Sequence, residues 1–129
     1  MKRTLSAAAA LLLAAMLVAI PAAEAKPKPQ KKTQLTLEVS FIPQSAQGKV
    51  KSVKACKANR QILLYEVVEG SAEKVAQTRS GENGRYAFEG VMINPNNQYE
   101  ALTFPVTKRR VVCKGDNSPR VTPSGPSPQ

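Results

Sequence analysis

Apolar and polar residues alternate with a period of two along several short stretches of this chain. The clearest stretch covers residues 34–41, where the apolar positions are Leu35, Leu37, Val39 and Phe41. Since successive side chains of a β-strand point to opposite faces, this pattern predicts a strand with one buried face. Pro43 ends the pattern, because proline has no N–H group for a ladder hydrogen bond.

Further strand candidates follow at short intervals. Residues 61–68, QILLYEVV, are apolar on both faces, as expected of a central strand. The other candidates are residues 48–53, 74–79, 85–89, 99–106 and 107–114. No stretch after residue 25 sustains a helical period. About seven short strands predict an all-β fold, an antiparallel Ig-like or transthyretin-like β-sandwich.

The stretch SGENGRYAFE, residues 80–89, joins a tight turn to two aromatic residues. Asn83-Gly84 is a turn dipeptide, because both residues tolerate positive φ. Tyr86 and Phe88 then share one face of the following strand. We interpret the stretch as a hairpin that pairs residues 74–79 with residues 85–89, with both rings between two sheets. The preceding residues, Gly70 to Lys74, are predicted to be a loop.

The first 25 residues have the organisation of an export signal. Lys2 and Arg3 precede an apolar run over residues 5–20, and the small residues of AEA at 23–25 fit a signal-peptidase site. The chain is therefore expected to be secreted through bacterial export, with residues 1–25 removed. The alternative is a single membrane anchor, for which the apolar run is short.

The remaining chain divides into three parts by composition. Residues 26–33, KPKPQKKT, form a basic, proline-containing leader that we expect to be extended and mobile. Residues 34–118 carry the strand candidates and form the predicted sandwich domain. Residues 119–129 contain four prolines among serine and glycine, which is typical of a disordered tail.

Two cysteines, Cys56 and Cys113, are the only ones in the chain. An even count in an exported protein favours a disulfide between them. A free thiol pair and an intermolecular bridge are the alternatives. The chain has no histidine, so a metal site built on these two residues is not expected, and no cofactor is implied.

Several motifs are spread over the predicted sandwich domain. They are Cys56-x-x-x-Arg60-x-Ile62-x-Leu64-Tyr65, Val75, Ser80, Asn83-Gly84-x-Tyr86-x-Phe88, Tyr99-x-Ala101 and Cys113-x-x-x-x-Ser118. Together these motifs resemble the carboxypeptidase regulatory-like (transthyretin-like) β-sandwich domains. The resemblance covers residues 37–121, and the framing cysteines are similar to those of small secreted actinobacterial proteins of this kind. It implies a non-catalytic sandwich module.

The chain departs from the pattern of those domains at two positions. Ser80-Gly81 stands where they usually have Thr-Asp, and Asn97 replaces a common glycine, although asparagine also tolerates left-handed geometry. Neither change threatens the predicted fold. They mean that no acidic turn site is carried over from the resemblance.

Residues suited to catalysis are few. Without histidine the commonest general base is missing, and Asp116 is the only aspartate. We interpret Glu66, Glu69 and Glu73 as a solvated loop rather than a pair of glycosidase carboxylates. The sequence therefore predicts a protein that is not an enzyme.

Basic residues supply the candidate binding surface. The whole chain carries a net charge of +10, and residues 1–25 contribute one of these charges, which leaves +9 for the exported part. Export disfavours nucleic acid as a partner, so a basic surface points to an anionic cell-wall polymer or a membrane surface; a role in solubility alone is the other reading. The candidate residues are Lys49, Lys51, Lys54, Lys57, Arg60, Lys108, Arg109 and Arg110.

Two further expectations accompany this surface. If Cys56 is bonded to Cys113, the cations around residues 49–60 and those at 108–110 are brought close enough to merge, and the leader extends their reach. The alternative function is that of a carbohydrate-binding accessory protein, in which Tyr65 and Tyr99 are exposed and contact sugars.

Overall fold

The computed structural model describes residues 26–125 and places them in an all-β sandwich, as predicted. The predicted signal peptide and the last four residues lie outside the described residues. The elements in chain order are β1 (Gln30–Lys31), β2 (Gln34–Leu35), β3 (Glu38–Phe41), β4 (Gln44–Lys51), α1 (Lys54–Lys57), β5 (Gln61–Val68), β6 (Ser71–Arg79), β7 (Arg85–Phe88), β8 (Gln98–Thr103), β9 (Val106–Thr107), β10 (Val112–Cys113) and β11 (Asp116–Asn117).

The first layer is a four-stranded sheet in the order β11-β8-β5-β6. Its strand β5 has the predicted bounds and lies between two neighbours, which explains why QILLYEVV is apolar on both faces. All its pairings are antiparallel. The prediction of a central strand is confirmed.

The second layer consists of β4 with β2 and β3 along one side and β7 along the other. β2 and β3 are two halves of the strand predicted over residues 34–41, and they separate at Thr36. There the Thr36 hydroxyl accepts from Lys49 N at 2.9 Å, which frees the Thr36 carbonyl to accept from the hydroxyl of Tyr86. Gly48 lies under that ring, where a Cβ would collide with Tyr86 and with the Thr36 carbonyl.

The core lies between the two sheets and contains side chains of both. Tyr86 and Phe88 are buried there with their rings in a T-shaped arrangement, 5.6 Å between centroids, as expected for an edge-to-face pair. This confirms the prediction that both rings fill the space between sheets. The buried cluster is Leu35, Leu37, Val39, Ala46, Val50, Ile62, Leu64, Tyr86, Phe88, Ile93, Tyr99 and Ala101.

The predicted hairpin across the Asn83-Gly84 turn is wrong. β6 pairs with β5, and β7 pairs with β4 in the other sheet, so the turn carries the chain from one layer to the other. Ser80 fixes the crossing: its hydroxyl donates to Lys57 O at 2.6 Å and accepts from Arg60 N at 2.9 Å. The predicted loop over residues 70–74 is also wrong, because β6 begins at Ser71.

The chain termini are tied to the sandwich over part of their length. The leader is extended, but Gln30–Lys31 pairs in parallel with β10 in a small third sheet that also contains β9. Near the other end, Tyr99 and Val121 exchange two backbone hydrogen bonds of 2.9 Å, and Ser124 N donates to Val39 O at 2.8 Å. Residues 119–125 therefore cross between the layers, contrary to the expectation of disorder.

Candidate polyanion-binding surface

Two cations face each other on the outer side of the second sheet. Lys49 and Arg85 are direct partners in the β4–β7 pairing, and both side chains are exposed. Lys51 lies two residues further along β4 and so points to the same side. Like charges directly opposite one another destabilise a sheet, so this arrangement is unfavourable unless a negative charge binds to it.

These three cations line a depression of about 390 Å³ together with Lys57. The Asn83-Gly84 turn forms one wall. Val50 N donates to Gly84 O at 2.8 Å, and Gly84 has φ +85°, a value that favours glycine. A Cβ at Gly84 would lie 2.5 Å from Val50 O, so glycine permits this close approach. The remaining lining residues are Val50, Ser52 and Asn83.

A second, larger groove of about 750 Å³ adjoins this depression and reaches β6, the edge strand of the first sheet. It shares Lys49, Lys51 and Arg85 with the depression and adds Arg79 from the end of β6. Glu38 is the one carboxylate residue among the lining residues of the two. Within residues 26–125 the only salt bridge joins Arg120 to Glu100, so no carboxylate neutralises these cations. We call Lys49, Lys51, Lys57, Arg79 and Arg85 the basic groove.

The leader connects the basic groove to the second predicted cluster. At one end Ser52 Oγ donates to Lys32 O at 2.7 Å, and at the other Lys28 Nζ donates to Lys108 O at 3.2 Å. Lys108 begins the tight turn between β9 and β10, and Arg109 and Arg110 are exposed at its tip. The leader thus lies along the path between the two groups of cations.

Arg60 was predicted to belong to the basic surface, and this is wrong. Its side chain is only 2% exposed. One terminal nitrogen donates to Thr33 Oγ1 at 3.3 Å and Cys56 O at 3.0 Å, and the other to Phe104 O at 2.9 Å and Lys114 O at 3.0 Å. Burial lowers the pKa of this guanidinium, but arginine stays charged at neutral pH. Arg60 is a structural clamp.

The predicted disulfide lies beside this clamp. Cys56 and Cys113 are bonded, with 5.5 Å between their Cα atoms, and both are completely buried. The free-thiol and intermolecular alternatives are therefore wrong. The bond holds α1, which carries exposed Lys54 and half-buried Lys57, against β10.

The two tyrosines of the alternative function differ in accessibility. Tyr99 is 0% exposed, so a sugar cannot contact its ring, and that part of the alternative is wrong. Its hydroxyl accepts from Asn94 N at 2.8 Å and donates to Glu66 at 3.3 Å. Burial is the main cause that raises the Tyr99 pKa. Tyr65 is half-buried. Glu66 lies within β5 and not in a loop.

Sequence reasoning missed Arg79 and Arg85. The alternation Arg85-Tyr86-Ala87-Phe88 does place Arg85 on an outward face. The wrong hairpin, however, paired β7 with β6 instead of β4, so the pairing of Arg85 with Lys49 could not be anticipated. Over residues 26–125 there is no cluster of metal-binding side chains and no helix that is long and apolar enough to cross a membrane.

No protein-family model, curated protein or solved structure matches the chain.

Proposed function

We propose that the protein is a secreted, non-enzymatic β-sandwich module that binds anionic polymers at or outside the cell envelope through the basic groove. The carrying observation is the direct opposition of Lys49 and Arg85 beside Lys51 and Lys57, with no salt bridge to any of them within residues 26–125. The arrangement costs stability and concentrates positive charge where a chain of negative groups can lie.

Two other observations support the proposal. A disulfide is compatible with an extracellular location, in agreement with the export signal. Arg60 donates to Cys56 O, beside Lys57, and Ser52, beside Lys51, donates to the leader. These bonds fix the backbone next to two cations of the basic groove, which reduces the ordering cost of binding. The resemblance to carboxypeptidase regulatory-like domains, which implies a non-catalytic module, is part of the same proposal.

The test is retention on an immobilised glycerol-phosphate polymer of the teichoic-acid type. The protein should bind at low salt and be released at high salt, because exposed charges are screened beyond about 8 Å at physiological ionic strength. Lys49→Gln/Lys51→Gln should lose retention. Lys74→Gln/Arg120→Gln removes the same charge outside the groove and should retain most of it. Equal loss of retention in both variants would show that binding depends on net charge alone and not on the basic groove.

A further inference from the structure

The outer face of the four-stranded sheet carries a second group of side chains, which point away from the core. Leu63 pairs with Leu102 on β8 and with Gln77 on β6, so these three share one row across the sheet. Gln61 pairs with Arg79. Phe104 follows Thr103, the partner of Ile62, and so lies beside Gln61. Gln61, Arg79 and Phe104 thus form a second row, next to the row of Leu63, on the face that points away from the core.

Burial confirms which way these side chains point. Ile62 and Leu64 belong to the core cluster, whereas Leu63 does not, although it is buried, with 7% of its surface exposed. Phe104 is 52% exposed, and Tyr65, two residues after Leu63, is half-buried. The face therefore has an apolar floor with an exposed aromatic ring at the end near the cations.

A cavity of about 200 Å³ lies at this end. Phe104, Pro105 and Val106 form an apolar wall, and the amides of Asn59 and Gln61 and the cation of Arg79 line it as well. Arg79 Nη1 donates to Asn59 O and Oδ1 at 3.3 and 3.4 Å. Its Nη2 and Nε groups have no hydrogen-bond partner within residues 26–125 and are available to a ligand.

This combination fits the chemistry of an acidic sugar. A pyranose ring presents an apolar face that can pack on an aromatic ring, and its hydroxyls both donate and accept, as amide side chains do. An arginine with free donors binds a carboxylate or phosphate with two parallel hydrogen bonds. An apolar wall with a few polar groups is also the usual composition of a small-ligand site.

Arg79 also belongs to the basic groove, so the cavity and the groove meet at one residue. We infer that the ligand is an acidic polysaccharide, with its negative groups in the basic groove and a sugar ring on Phe104 beside Arg79. This inference rests on the proposed function for the charged part of the ligand and adds the sugar contact. A purely inorganic polyanion would use the groove alone.

The test compares two anionic ligands, one with sugar rings and one without: a hexameric oligogalacturonate and a linear inorganic polyphosphate. Phe104→Ala should weaken oligogalacturonate binding by about tenfold, as expected for one aromatic contact, and leave polyphosphate binding within about twofold. Arg79→Lys keeps the charge but loses the two-pronged donor, and should show the same selectivity. Met92→Ala is the matched control, since Met92 is 82% exposed, lies between β7 and β8 and does not line the cavity.

The outcomes separate this inference from the proposed function. Equal effects of Phe104→Ala on both ligands, no effect on oligogalacturonate, or binding of polyphosphate alone would overturn the sugar contact and leave the groove intact. Binding of neither ligand would overturn both. Phe104→Ala and Met92→Ala should unfold at the same temperature as the unmodified protein. If Phe104→Ala unfolds at a lower temperature, the selectivity of Arg79→Lys between the two ligands tests the sugar contact instead.

Discussion

The guanidinium of Arg60 donates to the carbonyl oxygen of Phe104 at 2.9 Å, so a buried charge fixes the backbone of an exposed aromatic residue. The same side chain reaches Thr33, Cys56 and Lys114, which lie far apart in the chain. Arg60 thereby joins the leader, α1 and the segments around β10 at the end of the sandwich where the cations gather. Arg60 therefore stabilises the fold, whereas the sequence had suggested that it binds a polyanion.

Arg60→Lys should therefore destabilise the fold strongly. A lysine ammonium is compact and cannot reach four acceptors, so buried carbonyls lose their partners. We expect the free energy of unfolding to fall by about 3 kcal/mol in a denaturant titration. Arg110→Lys, at an exposed turn, is the control and should change it by less than about 0.5 kcal/mol. A loss for Arg60→Lys as small as the control's would contradict the clamp.

Removal of the disulfide should cost a comparable amount. Cys56 and Cys113 are separated by 57 positions in the sequence, and closing a loop of that size stabilises a fold by about 4 kcal/mol in the chain-entropy model. Cys56→Ala/Cys113→Ala should lower the urea midpoint accordingly, with reduction of the unmodified protein giving the same midpoint. Thiol labelling of the unfolded, unreduced protein should find no reactive thiol; two per chain would contradict the bond.

Lys49→Glu should increase stability while it removes binding. The substitution replaces a like-charge pair opposite Arg85 with an opposite-charge pair, which stabilises a sheet by about 0.5 kcal/mol. Lys51→Glu is the control, because its cross-strand partner is the neutral Gln34, so the substitution removes no directly opposed like-charge pair. Both variants should lose polyanion binding, but only Lys49→Glu should gain stability. Equal stability of the two would show that Lys49 and Arg85 do not repel each other.

The strands were largely predictable, and their partners were not. The alternation over residues 34–41 and the run Gln61–Val68, which is apolar on both faces, reflect burial. Burial can be inferred from the polarity of each residue without knowledge of its partners. Pairing depends on residues far apart in the chain. The Asn83-Gly84 turn was compatible with a hairpin, and the docking of Ser80 on Lys57 and Arg60, which overrides it, has no local signal.

The same distinction applies to the candidate site. Lys49 and Lys51 were found because they alternate with apolar Val50, so their outward direction was visible in the sequence. Arg60 was misplaced because an arginine near other cations normally stays in water, and three of its four neutral acceptors come from distant parts of the chain. Phe104 was missed because it follows β8, and its position beside Gln61 becomes apparent only when the pairing of β8 with β5 is known.

Alkaline pH should narrow the stability difference between the unmodified protein and Tyr86→Phe. Burial raises the pKa of Tyr86 above its ordinary value of about 10, so the stabilisation is complete below that pH and is lost as pH rises further. At neutral pH the variant lacks only the hydrogen bond to Thr36 O, a loss of about 1 kcal/mol. Denaturant titrations at about pH 8 and about pH 11 test this. A constant difference would contradict it.

The salt dependence of polyphosphate binding tests the basic groove most directly. Each cation that contacts the polymer releases counterions, so the logarithm of the affinity falls linearly with the logarithm of salt concentration, with about one unit of slope per contact. Lys49→Gln/Arg85→Gln should reduce the magnitude of the slope by about two, whereas Lys74→Gln/Arg120→Gln, with the same net charge, should leave it nearly unchanged. Equal slopes for the two variants, or no binding of the unmodified protein at low salt, would contradict the account.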